Sequence, residues 1–485
     1  MFKKISYRFF LLIILFSFLF SSLFFITKLD QDFFSFLYVG RGMAEGGLLY
    51  KELGDNKGPI LYLFYLLLYK LGGLNYYRLP LFLFSGVVDG ISLYFIIKSF
   101  LEILKIKLKF NFINIFFIFL FVGIYKSFSI GEYMGAIYSE TLGMLFVSIS
   151  IYLAIKRKNY CSGFIFAFAP FTRLTLLFYS VFLVSIIFEY FFNLRIKFFS
   201  KLKELFVFLF GFLTSGFLIV FYMIKNDIFS DYIYYNFILN FNYASYVNKS
   251  GRVLYVLYTS IYEFRIIILL LLLSLFLFVL FTDRKFKYKR ITLFLFISSL
   301  LATFFGGIFY YHHFIQFVPI VFFVFSYFIF VIEKYRKILL YLFSAILFAS
   351  FSFSIFTRDH FDDLTQLTKK ISTENNNYKY WQIVPYYPEY YISNNKFSPD
   401  KYFITFFVSK YFSLNPTEDI ANHSDIERGK ICNTLFVFIN QNKFDYLVSE
   451  DYLQSFKDRF GLIQTKSFIQ GKSTINLYEP NCFTK

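Results

Sequence analysis

Charged side chains are scarce in this sequence. They make up 16% of 485 residues, against 58% hydrophobic ones, and mean hydropathy is +0.57. A soluble domain carries about 25% charged residues, so a chain of soluble domains is excluded. Cysteine occurs three times, too few for a disulfide framework. Cys161 opens an apolar run, while Cys432 and Cys482 lie in the polar C-terminal tail, where an outer location would permit pairing but nothing in the sequence brings them together. Proline occurs nine times and marks no linker; there is no internal repeat and no heptad pattern. Tryptophan occurs once, yet Phe (79) and Tyr (42) are so abundant that an aromatic stripe reads as a lipid-facing or core helix, not as a ligand box.

What is present is a series of apolar runs of bilayer length, about 20 residues for a helix. The first, Arg8 to Ile26, follows Lys3, Lys4 and Arg8 and lacks a small-residue cleavage site, so it reads as a retained helix. Further spans are expected near 79–97, 110–127, 134–155, 160–171, 173–192, 205–224, 263–282, 291–309, 314–332 and 338–356. That gives about 11 transmembrane helices, the fifth short enough for a half-helix. Residues 59–71 form a shorter apolar run, read as an interfacial or re-entrant helix inside the first outer loop.

The net charge of +18 resides in this part. Residues 357–485 hold 15 basic and 15 acidic side chains, leaving 34 basic against 16 acidic in 1–356. A nucleic-acid binder would place its basic patch on a soluble domain; no nucleic-acid partner is expected. Segments 2–8, 98–109, 156–158, 193–204, 283–290 and 333–337 hold 22 of those 34, and they alternate with loops that are long or nearly uncharged. The positive-inside rule then puts the N-terminus in the cytoplasm and three regions outside: 27–78, 225–262 and the tail after Phe356. The expected localisation is the cytoplasmic membrane, multi-pass.

The tail has a globular texture. FDYLVS (444–449), LIQTKSFI and STINLYE read as strands, and Ser449 as the cap of a helix through Phe460. The fold class expected is an α-helical polytopic membrane domain, 1–356, with a small extracytoplasmic α/β domain, 357–485.

The first outer loop carries the densest chemistry. Asp30 and Asp32 leave the first span at the membrane surface. An amphipathic helix with Phe33, Phe36, Gly40 and Met43 on one face follows and ends at Gly46-Gly47. Asp55, Asn56, Lys57, Gly58 and Pro59 precede the interfacial run. Each has an ordinary structural reading as well: Asp32 as an N-cap, Lys57 as a snorkelling cation, Gly58-Pro59 as a helix start.

The order Asp32, Arg41, Met43, Gly47, Tyr50, Lys57-Gly58-Pro59 and Arg78-Leu79-Pro80 resembles bacterial lipid-linked sugar transferases of the GT-C superfamily. These include glycosyltransferase family 39, the protein O-mannosyltransferase relatives and the aminoarabinose transferases. The resemblance is close over about 50 residues and architectural elsewhere. It implies transfer of a sugar from a polyprenyl-phosphate donor to a glycan, lipid or protein acceptor on the outer face, by a single inverting displacement. Asp32, with Asp30 as substitute, would be the catalytic base, and Lys57 and Arg173 the donor-phosphate clamp. Glu132 or Glu140 would match an acidic residue near the fourth span. His312-His313, Gln316 and Pro319 would match a pattern before a late span. Glu140 also reads as a carboxylate at a wet helix end, Arg173 as half of an ion pair, and the His pair as hydrogen-bonding groups. One departure concerns metal. The resemblance implies a divalent-metal ligand, because the aminoarabinose transferases carry an acidic residue just before the lysine; here Asn56 stands there, with Asp55 one residue back, which argues against that metal. Segment 225–262, rich in Tyr and Asn, offers sugar contacts as well as an ordinary interfacial loop.

Two other classes compete: a flippase or transporter of lipid-linked sugars, for which Asp89 and Arg173 are charges within spans, and a polysaccharide polymerase. A non-catalytic anchor for the outer domain would need one or two spans.

Overall fold

The computed structural model describes residues 2–22, 31–53, 55–108, 110–129, 137–192, 198–240, 289–305, 311–330, 341, 344, 379–383, 434–441, 462–470 and 473–480. The described residues are mostly helical. The helices are α1 (Phe2–Ser21), α2 (Gln31–Ala44), α3 (Pro59–Gly72), α4 (Arg78–Ile103), α5 (Phe112–Ser129) and α6 (Ser139–Ile155). After them come α7 (Asn159–Phe166), α8 (Tyr179–Phe192), α9 (Phe198–Lys225), α10 (Phe229–Ile233), α11 (Lys289–Phe304) and α12 (Val318–Phe330). Short 3₁₀ segments precede α8 (Leu174–Phe178) and α12 (Tyr311–Phe317), and a π-helical turn, Tyr234–Leu239, follows α10.

Two of these helices, Arg78–Ile103 and the Leu202–Lys225 part of α9, are long and apolar enough to cross a membrane by length and composition. Seven shorter stretches, among them Phe112–Lys126 and Ser139–Ile155, are apolar but below that length. The expected spans at 263–282 and 338–356 lie outside the described helices.

Packing follows the apolar surface. α1 lies against α4 and α5, α4 against α6, and α7 between α6 and α9. Two glycines set the α7–α9 distance: a Cβ on Gly163 would lie 1.9 Å from the Phe208 carbonyl oxygen, and one on Gly211 2.1 Å from that of Tyr160. One apolar core joins α1, α4, α5, α6, α8, α11 and α12, with Phe121 stacked on Phe322. α9 keeps a broad face exposed, including Phe206, Phe210, Leu213, Phe217 and Phe221.

Between α7 and α8 the chain is broken. Helix stops at Phe166, and Ala167–Arg173 turns back irregularly, with Pro170 unable to donate to a helical ladder. Carbonyls freed by such a break need donors. The N-terminus of α3 supplies them, because the first amides of a helix have no intrahelical partner. Gly58 N–H donates to Thr172 O at 3.2 Å and Ile60 N–H to Phe171 O at 3.3 Å; Pro59, between them, has no N–H to place.

In the tail, four strands form one sheet in the order β1-β2-β4-β3: β1 (Lys379–Ile383), β2 (Thr434–Gln441), β3 (Leu462–Gln470) and β4 (Ser473–Pro480). β1 pairs parallel to β2; β4 pairs antiparallel to β2 and to β3. The expected strands at LIQTKSFI and STINLYE are β3 and β4, while β1 and β2 were not anticipated. The expected strand at 444–449 and helix from Ser449 fall outside the described residues.

Candidate functional site

Four residues separated by up to 176 positions converge beside the α7–α8 break. Glu140 opens α6 and is buried. Its Oε1 lies 2.7 Å from Arg173 Nη1 and 3.3 Å from His313 Nε2. Arg173 Nη2 and His313 Nε2 are 2.8 Å apart. Gln316, one turn beyond His313, accepts from the Thr175 hydroxyl at 3.1 Å. Ser139 Oγ donates to Glu140 Oε2 at 2.9 Å. The 3₁₀ geometry at both 174–178 and 311–317 brings these side chains in from two directions, and the Tyr179 hydroxyl ties the two segments through the Gln316 carbonyl and Ser299. Arg173 Nε and Gln316 Nε2 are buried donors with no hydrogen-bond partner among the described residues. Burying an unpaired donor is costly, so the cluster is suited to a ligand that brings acceptors.

The α3 splice holds Gly58 and Ile60 against Phe171 and Thr172, the two residues that directly precede Arg173. Around Lys57 the first outer loop is tightly organised. The Tyr50 hydroxyl donates to Lys57 O at 2.7 Å, and Lys57 N–H donates to the Tyr62 hydroxyl at 3.3 Å. Tyr50 itself adopts φ 65°, a left-handed conformation at the turn that follows Gly46-Gly47. Lys57 Nζ donates to Asn56 Oδ1 at 3.0 Å.

Asp55 is buried, accepting from Ser35 Oγ at 3.2 Å and from Asn56 N–H at 2.6 Å. Burial pushes its carboxyl above the ordinary carboxylate range; Lys57 opposes the rise and Asp32 adds to it. Asp32 is half-buried in the first turn of α2. Because α2 begins at Gln31, Asp32 stands inside the helix and not at the N-cap, where its charge faces the positive end of the helix dipole. Arg41, buried on α2, pairs with Glu45 at 2.9 Å.

Asp30 and Glu132 lie outside the described residues, and so does the side chain of His312. Among the described residues no three His, Cys, Asp or Glu side chains gather in metal-binding geometry, and the Asn56 amide is committed to Lys57 and Asn240.

Several neighbours were not anticipated from the sequence. Asn240 bonds Asn56, and Ser35 and Tyr62 surround Asp55. A second buried charge cluster was half anticipated: Asp89 was read as a charge within a span, but its partner was not. Lys126 of α5 is paired with Asp89 of α4, and its Nζ donates to Ser21 Oγ at 2.6 Å and to Ser85 Oγ at 2.8 Å. Its sequence signals were Asp89 inside an apolar run and a lysine near the end of another.

No family model matches the chain, and no curated protein does. The functional reading therefore rests on the residues themselves.

Proposed function

We propose that the protein is a membrane glycosyltransferase that moves a sugar from a polyprenyl-phosphate donor to an acceptor at the outer face of the cytoplasmic membrane. In this reading it is a GT-C-type polytopic protein with about 11 spans and a small outer α/β domain built on the tail sheet. The observation that carries it is the splice of Gly58 and Ile60 onto Phe171 and Thr172. It sets the Lys57 segment beside the Arg173 segment, as a two-cation clamp for a phosphate leaving group requires.

The resemblance implies the roles, and the chemistry of each side chain supports them. Arg173, oriented by Glu140 and His313, offers planar donors to phosphate oxygens. Lys57 supplies a second, compact cation. Both stabilise the charge that develops as the sugar–phosphate bond breaks. Asp32 accepts the acceptor proton as general base; Asp55, with its raised carboxyl and buried position, supports the loop. Gln316 offers a donor to a sugar hydroxyl.

A second reading, a flippase or transporter of lipid-linked sugars, draws on the Asp89–Lys126 pair within the apolar helices. That pair is closed by Ser21 and Ser85, which suits a helix clamp better than a moving substrate.

The test compares Asp32→Asn, Asp30→Asn, Lys57→Ala and Arg173→Ala for transfer from the lipid-linked sugar that accumulates, by mass spectrometry, when the protein is deleted. Asp32→Asn is expected to insert normally and lose transfer by roughly 10²–10⁴-fold. A dead Asp30→Asn beside an active Asp32→Asn would move the base to Asp30. Parent activity in all four variants would reject the transferase reading.

A further inference from the structure

Lys57 is oriented by a relay of two side-chain amides. Asn240 follows the π-helical turn after α10, far from Lys57 in sequence. Its Nδ2 donates to two backbone oxygens, Asn56 O at 3.2 Å and Asn236 O at 3.0 Å. A side-chain atom facing two carbonyls must be the nitrogen, so the Asn240 amide has one orientation. Its Oδ1 therefore faces Asn56, whose Nδ2 donates to it at 2.8 Å. That donation fixes the Asn56 amide in turn and leaves Asn56 Oδ1 to accept from Lys57 Nζ at 3.0 Å. The direction of every bond is set by the two carbonyls that accept from Asn240 Nδ2.

We propose that Asn240 is a positioning residue for Lys57, holding its ammonium, through Asn56, in the attitude that receives the phosphate of a polyprenyl-phosphate donor. This rests on the anion-clamp reading above. A carboxylate in place of Asn56 would orient the ammonium equally well but would compete with the incoming phosphate for its charge. A neutral amide orients without that competition. The relay also makes anion affinity depend on how segment 227–240 docks on the first outer loop. Two further contacts hold that docking: Lys51 Nζ to Asp227 Oδ2 at 2.7 Å, and the Tyr50 ring packed on Tyr232 and Tyr235.

The experiment measures binding of farnesyl phosphate, with farnesol as the uncharged control, to the full chain in detergent. Thermal midpoints report folding. Asn240→Ala and Asn56→Ala are each expected to weaken farnesyl phosphate roughly three- to tenfold, the scale of one hydrogen bond, while leaving farnesol unchanged. In a Lys57→Ala background Asn240→Ala should cost nothing further, because its effect passes through Lys57. A merely structural role would instead give the same loss in both backgrounds and would overturn the proposal. So would parent affinity in Asn240→Ala when Lys57→Ala binds weakly. If Lys57→Ala itself binds like the parent, the clamp reading fails and the relay fails with it. Should Asn240→Ala not fold, Asn56→Ala carries the same comparison at the other amide of the relay.

Discussion

Gly58 and Phe171 leave no room for a side chain between them. A Cβ on Gly58 would lie 1.9 Å from the Phe171 carbonyl oxygen and 2.9 Å from that of Thr172. The glycine has φ −69° and ψ 153°, which any residue adopts. The requirement is therefore space, and it comes from the helix break on the opposite segment. Gly58→Ala is expected to force the two strands of the splice apart, costing about 1–3 kcal/mol as an overpacking change. Transfer activity should fall with it, since the Lys57 and Arg173 segments lose their register. Thermal midpoints in detergent and a transfer assay check both, and a variant matching the parent in each would refute the splice.

Asp55 predicts a pH dependence of stability. Burial raises its carboxyl in the folded state, with Lys57 opposing. The folded protein thus holds the proton to higher pH than the unfolded chain, where the group titrates near about 3.9. Stability contributed this way is complete below that pH and is lost as pH rises through the folded value. Asp55→Asn has no such proton. Its thermal midpoint should fall less than the parent's between about pH 4 and about pH 7. Parallel profiles for the two proteins would remove Asp55 as the source.

The Asp89–Lys126 pair predicts a strong non-additivity. Both side chains are fully buried and share Ser85, whose Oγ donates to Asp89 Oδ2 at 3.2 Å. Lys126→Met alone leaves a buried carboxylate without its cation, at a cost of about 3–5 kcal/mol. Combining it with Asp89→Leu removes both charges and should recover much of that loss. Thermal midpoints of the two singles and the double measure the coupling, and simple addition of the single losses would contradict it.

Topology supplies a further check. The basic segments predict a cytoplasmic N-terminus and an outer tail. A reporter enzyme active only outside the cytoplasm, fused after Lys485, should be active. A well-expressed but inactive fusion would overturn the span parity and place the first loop on the cytoplasmic side.

The sequence by itself determined where the apolar helices fall and which residue types were unusual. Hydropathy located α4, α5, α6, α9 and α11 because each is a continuous apolar run bounded by charge. The short α3 and the fifth run, now α7 with its irregular continuation, were legible from length, since 13 or 12 apolar residues cannot make a full span. Glu140, Arg173, His313 and Gln316 were singled out by the resemblance to the GT-C transferases, with Glu132 and His312 beside them. Their meeting was decided by tertiary structure, because the break after Phe166 and the two 3₁₀ segments bring together residues from three distant stretches. The partner of Asp89 was likewise hidden: hydropathy places Lys126 in a helix but says nothing about which neighbour it faces. Asn240 was the least legible, since an Asn in a polar segment has no periodic signature. Its role depends on hydrogen-bond direction, which exists only once two carbonyls and two amides have been brought within 3.2 Å or less of one another.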